Sequence, residues 1–248
     1  MITRISAAML CACTVASTAA FAEEGGPYLG TLSANIGLAS EYVARGISQT
    51  DSQPALQGGV DWIYEAEGFT PYVGAWASKV DGANALGIPG ANFELDVYAG
   101  TVFSFGDAAL DLGVTRYLYP GENASGYDPS YWETKIGISY TIADVAKPAL
   151  TYYYAPDYSG TGVVGHYIQA ELTVAPPDMP LGLFFTGSVG RSIYGGDVMV
   201  DYTDWSLGAG LAIEGFTFTL TYTDTDIGKD ACGKLCDGRL VGAVQFAF

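Results

Sequence analysis

Apolar and polar residues alternate with a period of two along most of the chain. Phe216, Phe218, Leu220 and Tyr222 oppose Thr217, Thr219, Thr221 and Thr223. Leu95, Val97, Ala99 and Phe103 oppose Glu94, Asp96 and Tyr98, and Ile168, Ala170, Leu172 and Val174 oppose Gln169, Glu171 and Thr173. Near the front, Ala34, Ile36, Leu38 and Tyr42 share one face while Asn35, Glu41 and Arg45 share the other. In the last run Leu240, Gly242, Val244, Phe246 and Phe248 stand against Arg239, Val241, Ala243, Gln245 and Ala247. Such alternation marks strands whose two faces meet different surroundings.

The pattern predicts twelve strands, at 33–45, 55–65, 69–79, 93–103, 109–119, 130–142, 147–155, 164–174, 181–191, 201–213, 216–223 and 238–248. The faces of the third, seventh and ninth do not separate cleanly. Connections alternate in length. Short turns at 66–68, 104–108, 143–146, 175–180 and 214–215 interleave with longer polar loops at 46–54, 80–92, 120–129, 156–163, 192–200 and before the last strand. That is the connectivity of an all-β, antiparallel, up-and-down transmembrane barrel of about 12 strands, with both ends of the sheet at the short-turn, periplasmic side. Strands of this length suit a tilted membrane crossing. A soluble sandwich also has one wet face, so alternation alone leaves both architectures open.

The amino terminus favours the barrel. Residues 1–22 carry one charge, Arg4, then an apolar run, then Ala20-Phe21-Ala22, which predicts a cleaved secretory signal before Glu23 and a barrel over 23–248. Leu10-Cys11-Ala12-Cys13 loosely mimics a lipoprotein box but lies too early to leave a normal apolar core. No later stretch is a helical membrane span. The 33 Gly and 18 Tyr are spread in short segments that suit strands.

Signal removal leaves nine Lys and Arg against 27 Asp and Glu, a formal charge near −18. Nucleic-acid binding needs a basic footprint and is excluded as a function class. Strand phase puts Glu41, Asp61, Glu94, Asp96, Asp111, Glu133, Glu171 and Asp204 inside, with Arg45, Lys135 and Arg239, so the expected pore lining carries eight acids against three bases. Such an interior attracts cations. Arg116 falls on the lipid face near a loop end, where it can snorkel. The two cysteines left after signal removal, Cys232 and Cys236, sit in a Gly-containing polar loop and predict a small disulfide in an oxidising compartment. Zinc needs more ligands than these and the single His166 supply, and the acidic loops lack EF-hand spacing, so neither metal nor cofactor is expected. His166 has no recognisable nucleophile motif beside it, which argues against the enzymes some outer-membrane barrels are.

The ending Gly238–Phe248 resembles the terminal strand of bacterial outer-membrane barrels, and that resemblance implies that Phe248 is part of an assembly signal read by the barrel-assembly machinery. The segments Ser33–Thr50, SANIGLASEYVARGISQT, and Pro54–Asp61, PALQGGVD, resemble the opening of the TorF-type porin family, also known as Gcw-chp. Glu94–Gly100, Tyr119-Pro120-Gly121, Tyr154–Tyr158 and the cysteine loop echo it. The resemblance implies an outer-membrane barrel and supplies no catalytic residue or substrate. Within Arg45–Thr50, Gly46 can make a turn with Ser48, Gln49 and Thr50 bonding backbone, or the segment can present Arg45 at the pore mouth against acidic neighbours. The expectation is a passive channel in outer-membrane lipid for small cationic or neutral hydrophilic solutes. A closed structural or adhesion barrel is the alternative, with an enzyme or a secreted sandwich further behind.

Overall fold

The computed structural model describes residues 30–121, 127–196 and 199–248, so the expected signal and its cleavage site lie outside the described residues. Fourteen strands are present: β1 (Thr31–Ala39), β2 (Val43–Ala44), β3 (Ile47–Ser48), β4 (Ala55–Ile63), β5 (Phe69–Lys79), β6 (Phe93–Phe105) and β7 (Ala108–Leu118), then β8 (Tyr131–Tyr140), β9 (Ala146–Ala155), β10 (Gly165–Val174), β11 (Phe184–Tyr194), β12 (Tyr202–Ile213), β13 (Phe216–Thr225) and β14 (Arg239–Ala247). Among the described residues twelve of them close an antiparallel barrel, in the order β1-β14-β13-β12-β11-β10-β9-β8-β7-β6-β5-β4. Closure runs through β1 and β14, with Ile36 opposite Phe246 and Leu38 opposite Val244. A closed sheet leaves no strand edge unpaired, the condition for crossing lipid.

The outer face is the apolar face. Leu32, Ile36 and Leu38 on β1, Trp132, Ile136 and Ile138 on β8, Leu207 on β12, and Phe216, Phe218 and Leu220 on β13 are all exposed there. A soluble protein seldom exposes a continuous apolar belt, whereas a barrel in hydrocarbon requires one. Arg116 lies at the rim of this belt with its guanidinium carbon 5.5 Å from the Trp132 ring centre.

Most strand boundaries fall within about two residues of expectation, and two strands depart further. The ninth strand was expected from residue 181, but Pro180–Gly182 forms a 3-10 turn and the strand begins at Phe184. Leu181 there takes a positive φ of 59°, which a strand cannot accommodate. The first strand was expected to run unbroken to Arg45, but it leaves the sheet after Ala39. Residues 40–54 turn inward, and within them β2 and β3 pair as a small separate hairpin, Val43 with Ser48 and Ala44 with Ile47. Tyr42, expected on the lipid face, is therefore buried inside the barrel.

The two turn residues of this hairpin are Arg45 (φ 48°) and Gly46 (φ 77°). Two successive left-handed residues make the mirror-image turn that suits tight hairpins. Glycine adopts that conformation freely; arginine does so at a cost of about 1–2 kcal/mol. Gly46 is needed for space as well, since a Cβ there would stand 2.7 Å from Thr225 Cγ2 and 3.0 Å from Asp204 Cβ.

Candidate functional site: an acidic interior divided by the first loop

The inward faces of the barrel strands carry the acids that strand phase puts there. Asp61, Glu94, Asp96, Asp111, Glu133 and Asp204 are buried on their inner surfaces, and Glu171 is half-buried. Glu41 is also buried, but it stands on the inward loop and not on a strand wall. Burial of so many carboxylates demands partners, because an unpaired buried charge costs several kcal/mol.

Tyrosine hydroxyls supply many of them. Tyr98 donates to Asp61 Oδ1 at 2.6 Å, Tyr72 to Asp111 Oδ1 at 2.8 Å and Tyr167 to Asp204 Oδ1 at 3.0 Å. Each of these bridges skips a strand, which works because a glycine on the strand between offers no side chain. Tyr98 lies across Gly74 of β5, which pairs with both Tyr98 and Asp61. A Cβ on Gly74 would collide with the Tyr98 ring and the Asp61 carboxylate. Gly100 under Tyr72 and Gly190 under Tyr167 serve alike. Two further hydroxyls act without a bridging glycine, Tyr117 of β7 donating to Glu133 Oε1 of the neighbouring β8 at 3.2 Å and Tyr42 of the inward loop to Glu94 Oε1 at 2.8 Å.

Basic residues cover some of the others. Lys135 Nζ lies 2.6 Å from Asp111 Oδ2, and Arg239 pairs with Glu41. A fourth inward base, Lys147, escaped the sequence reading. It shares the inner face of β9 with Thr151, Tyr153 and Ala155, near Glu171 of the paired β10. The run Thr151-Tyr152-Tyr153-Tyr154 puts similar rings on both faces of β9, which erased the usual contrast. Among the described residues the inward count is thus eight acids against four bases.

Arg45 crosses this interior. Its Nη2 donates to both oxygens of Glu133, at 2.7 and 2.8 Å, and its guanidinium carbon sits 4.2 Å from the Tyr167 ring centre and 5.3 Å from that of Tyr153. The loop thus leaves the barrel between β1 and β4 and reaches the β8–β10 wall. Further contacts hold it, three to other parts of the chain and one, Glu41 with Ser48, within the loop itself. Glu41 takes Arg239 of β14 and the Ser48 hydroxyl, Asp51 takes Lys234 at 2.8 Å, and Gln49 accepts the Asp81 amide at 2.8 Å. Thr50 Oγ1 accepts the Tyr42 amide at 3.1 Å, and Gln49 Nε2 donates to the Ile47 carbonyl. The segment therefore shapes its own loop, as one reading expected, and Arg45 meets an acidic neighbour, Glu133, on the inner wall.

The loop leaves a cavity on each side. One, of about 180 Å³, has Trp76, Glu94, Asp96 and Tyr98 in its wall; the other, of about 150 Å³, has Gln169, Glu171, Asp204 and Thr221. β6 and β12 stand opposite each other in the strand order, so Asp96 and Asp204 face the loop from opposite walls.

Two expected features lie outside this interior. Cys232 and Cys236 are bonded in the loop before β14, their Cα atoms 5.9 Å apart. His166 is on the outer face, its Nδ1 2.7 Å from the Tyr152 hydroxyl and its ring 5.6 Å from that of Tyr154.

A family model described as "bacterial protein of unknown function (Gcw_chp)" matches residues 22–248. The chain belongs to the Gcw_chp family. No curated protein matches it in sequence. Among solved structures, this Gcw_chp barrel resembles a NanC porin, at 10% identity and a TM-score of 0.54, over 88% of this chain and 98% of that one. It resembles a KdgM porin in complex with disordered oligogalacturonate, at 11% identity and a TM-score of 0.52, over 87% of this chain and 99% of that one. A membrane protein from work on in-meso crystallization aligns at 16% identity and a TM-score of 0.55, over 88% of this chain and 83% of that one. At these identities the likeness is one of fold. A closed bacterial barrel with an apolar belt places the Gcw_chp chain in the outer membrane.

Proposed function

We propose that the protein is a TorF-type porin, a passive channel that admits small cationic or neutral hydrophilic solutes. The observation that carries this reading is the interior itself: carboxylates and tyrosine hydroxyls line two cavities beside the inward loop. A barrel serving only as a scaffold gains nothing from burying carboxylates, since apolar residues of similar volume are equally stable or better. Rings of carboxylates in a narrow passage raise the local cation concentration and repel anions. The alternative, a closed barrel, draws on one specific observation, the Arg45–Glu133 contact that carries the loop across the lumen.

Single-channel recording of the folded protein in planar bilayers separates the two. An open channel gives discrete conductance and a cation-selective reversal potential under a salt gradient. The selectivity weakens as salt shortens the screening length, about 10 Å at 0.1 M. Anion preference, or no conductance in heat-modifiable, correctly folded protein, rejects the channel in favour of the closed barrel.

A further inference from the structure

The partners of the interior carboxylates are unequally distributed. Asp61, Glu94, Asp111, Glu133 and Asp204 each accept a tyrosine hydroxyl, and Glu133 also holds Arg45. Asp96 differs. Its side chain is 2% exposed, its Oδ1 is buried and accepts no hydrogen bond, and it lines the larger cavity; Asp204 Oδ2 in the other cavity also lacks a donor, but there Oδ1 holds Tyr167. A carboxylate oxygen buried without a donor is an expensive arrangement unless something else supplies one.

We propose that the larger cavity binds a small organic monocation bearing N–H donors, a primary ammonium group seated on Asp96. Four features of the wall fit that chemistry. Glu94, two residues away on the same strand face, adds a second negative charge. The Tyr42 and Trp76 rings, packed edge to face with centres 5.3 Å apart, present aromatic surface to the cavity, as cation recognition uses. Arg45, the cation nearest in the lining, has its charge taken up by both oxygens of Glu133. Finally, the described residues contain no cluster of three metal-ligating side chains, so a hard divalent ion, which wants six or more oxygens, is the poorer match. At about 180 Å³ the cavity has room for several non-hydrogen atoms as well as water.

This inference rests on the reading of the interior as accessible to solutes, but it needs entry from the long-loop end only, not passage through. Binding and conduction are therefore tested separately. Calorimetric titration of the detergent-folded barrel with n-butylammonium chloride, at constant ionic strength, reads binding directly, and Trp76 fluorescence reports occupancy of the cavity. Saturable binding of n-butylammonium is expected, with tetramethylammonium, which has no N–H donor, binding several-fold more weakly. Asp96→Asn keeps the shape and removes the charge. It should weaken n-butylammonium by about ten- to a hundredfold, the loss of one charge-assisted hydrogen bond. Removing a buried charge with an unpaired oxygen does not threaten folding, and the ammonium-against-tetramethylammonium contrast in the unaltered protein decides the matter without any variant. No saturable binding, equal binding of the two cations, or undiminished binding in folded Asp96→Asn overturns the site. Binding without bilayer conductance keeps the site and rejects the channel; conductance without binding does the reverse.

Discussion

Replacing Arg45 by Gln tests how the loop is held. Arg45 and Glu133 side chains are 11% and 3% exposed, so their contact is shielded and not a surface pair. Removing one member of such a pair costs about 3–5 kcal/mol, because the other charge is left buried alone. Loss of the guanidinium from the Tyr167 face adds up to about 2 kcal/mol. The barrel ladder does not depend on either contact, so the chain has a cheaper response than unfolding: the hairpin leaves the β8–β10 wall and water reaches Glu133. Arg45→Gln should therefore fold with normal heat-modifiability, conduct more than the parent protein and select more strongly for cations. The companion variants sharpen this. Glu133→Gln removes the acid, and the double variant removes both charges, which by the same asymmetry is far milder than removing Arg45 alone. Planar-bilayer conductance and protease nicking within residues 40–54 read the outcome. If Arg45→Gln matches the parent in both, or if the effects of the two single variants simply add in the double, the latch reading is wrong.

Three other outcomes follow from separate parts of the structure. Deleting Phe248, whose amide and carbonyl bond Ala34 at 2.9 and 2.8 Å across the closing seam, should slow assembly and leave protease-sensitive material in the periplasm; normal outer-membrane yield counts against an assembly role. Intact-mass measurement without reductant should show a two-hydrogen deficit from the Cys232–Cys236 bond, whereas two freely alkylated thiols would defeat it; its loop closure contributes at most about 2 kcal/mol, so reduction should lower the melting temperature by no more than about 4–8 °C. Gly74→Ala should displace Tyr98 from Asp61 and destabilise the barrel by about 1–3 kcal/mol, and an unchanged denaturation midpoint would mean that the tyrosine bridges tolerate a side chain between them.

The strand phases were readable because an apolar outer belt and a polar interior give the two faces opposite demands. Leu95, Val97 and Ala99 against Glu94 and Asp96 is such a case, and the register of β6 agrees with it. Where both faces carry tyrosine, as in β9, the contrast vanished and Lys147 was missed. The first loop was misread for a related cause. Alternation continues through Tyr42 and Arg45 after the chain has left the sheet, because β2 is itself extended. The signal present was local: Val43-Ala44 and Ile47-Ser48 flank a two-residue Arg-Gly turn, the spacing of a minimal hairpin. The tyrosine–glycine–carboxylate bridges join three strands, two of them not adjacent, so no single stretch of sequence displays them.

The loop that divides the interior also fixes an order of events. Glu41 and Arg239 are 198 residues apart in the chain, and Arg45 and Glu133 are 88 apart. Contacts of such separation form late, since long stretches of chain must first be immobilised to bring their ends together. The Glu41–Arg239 contact cannot form until β14 has arrived beside β1, so the hairpin takes this anchor only as the barrel closes, whereas its contacts to Glu94 and Glu133 need only β6 and β8.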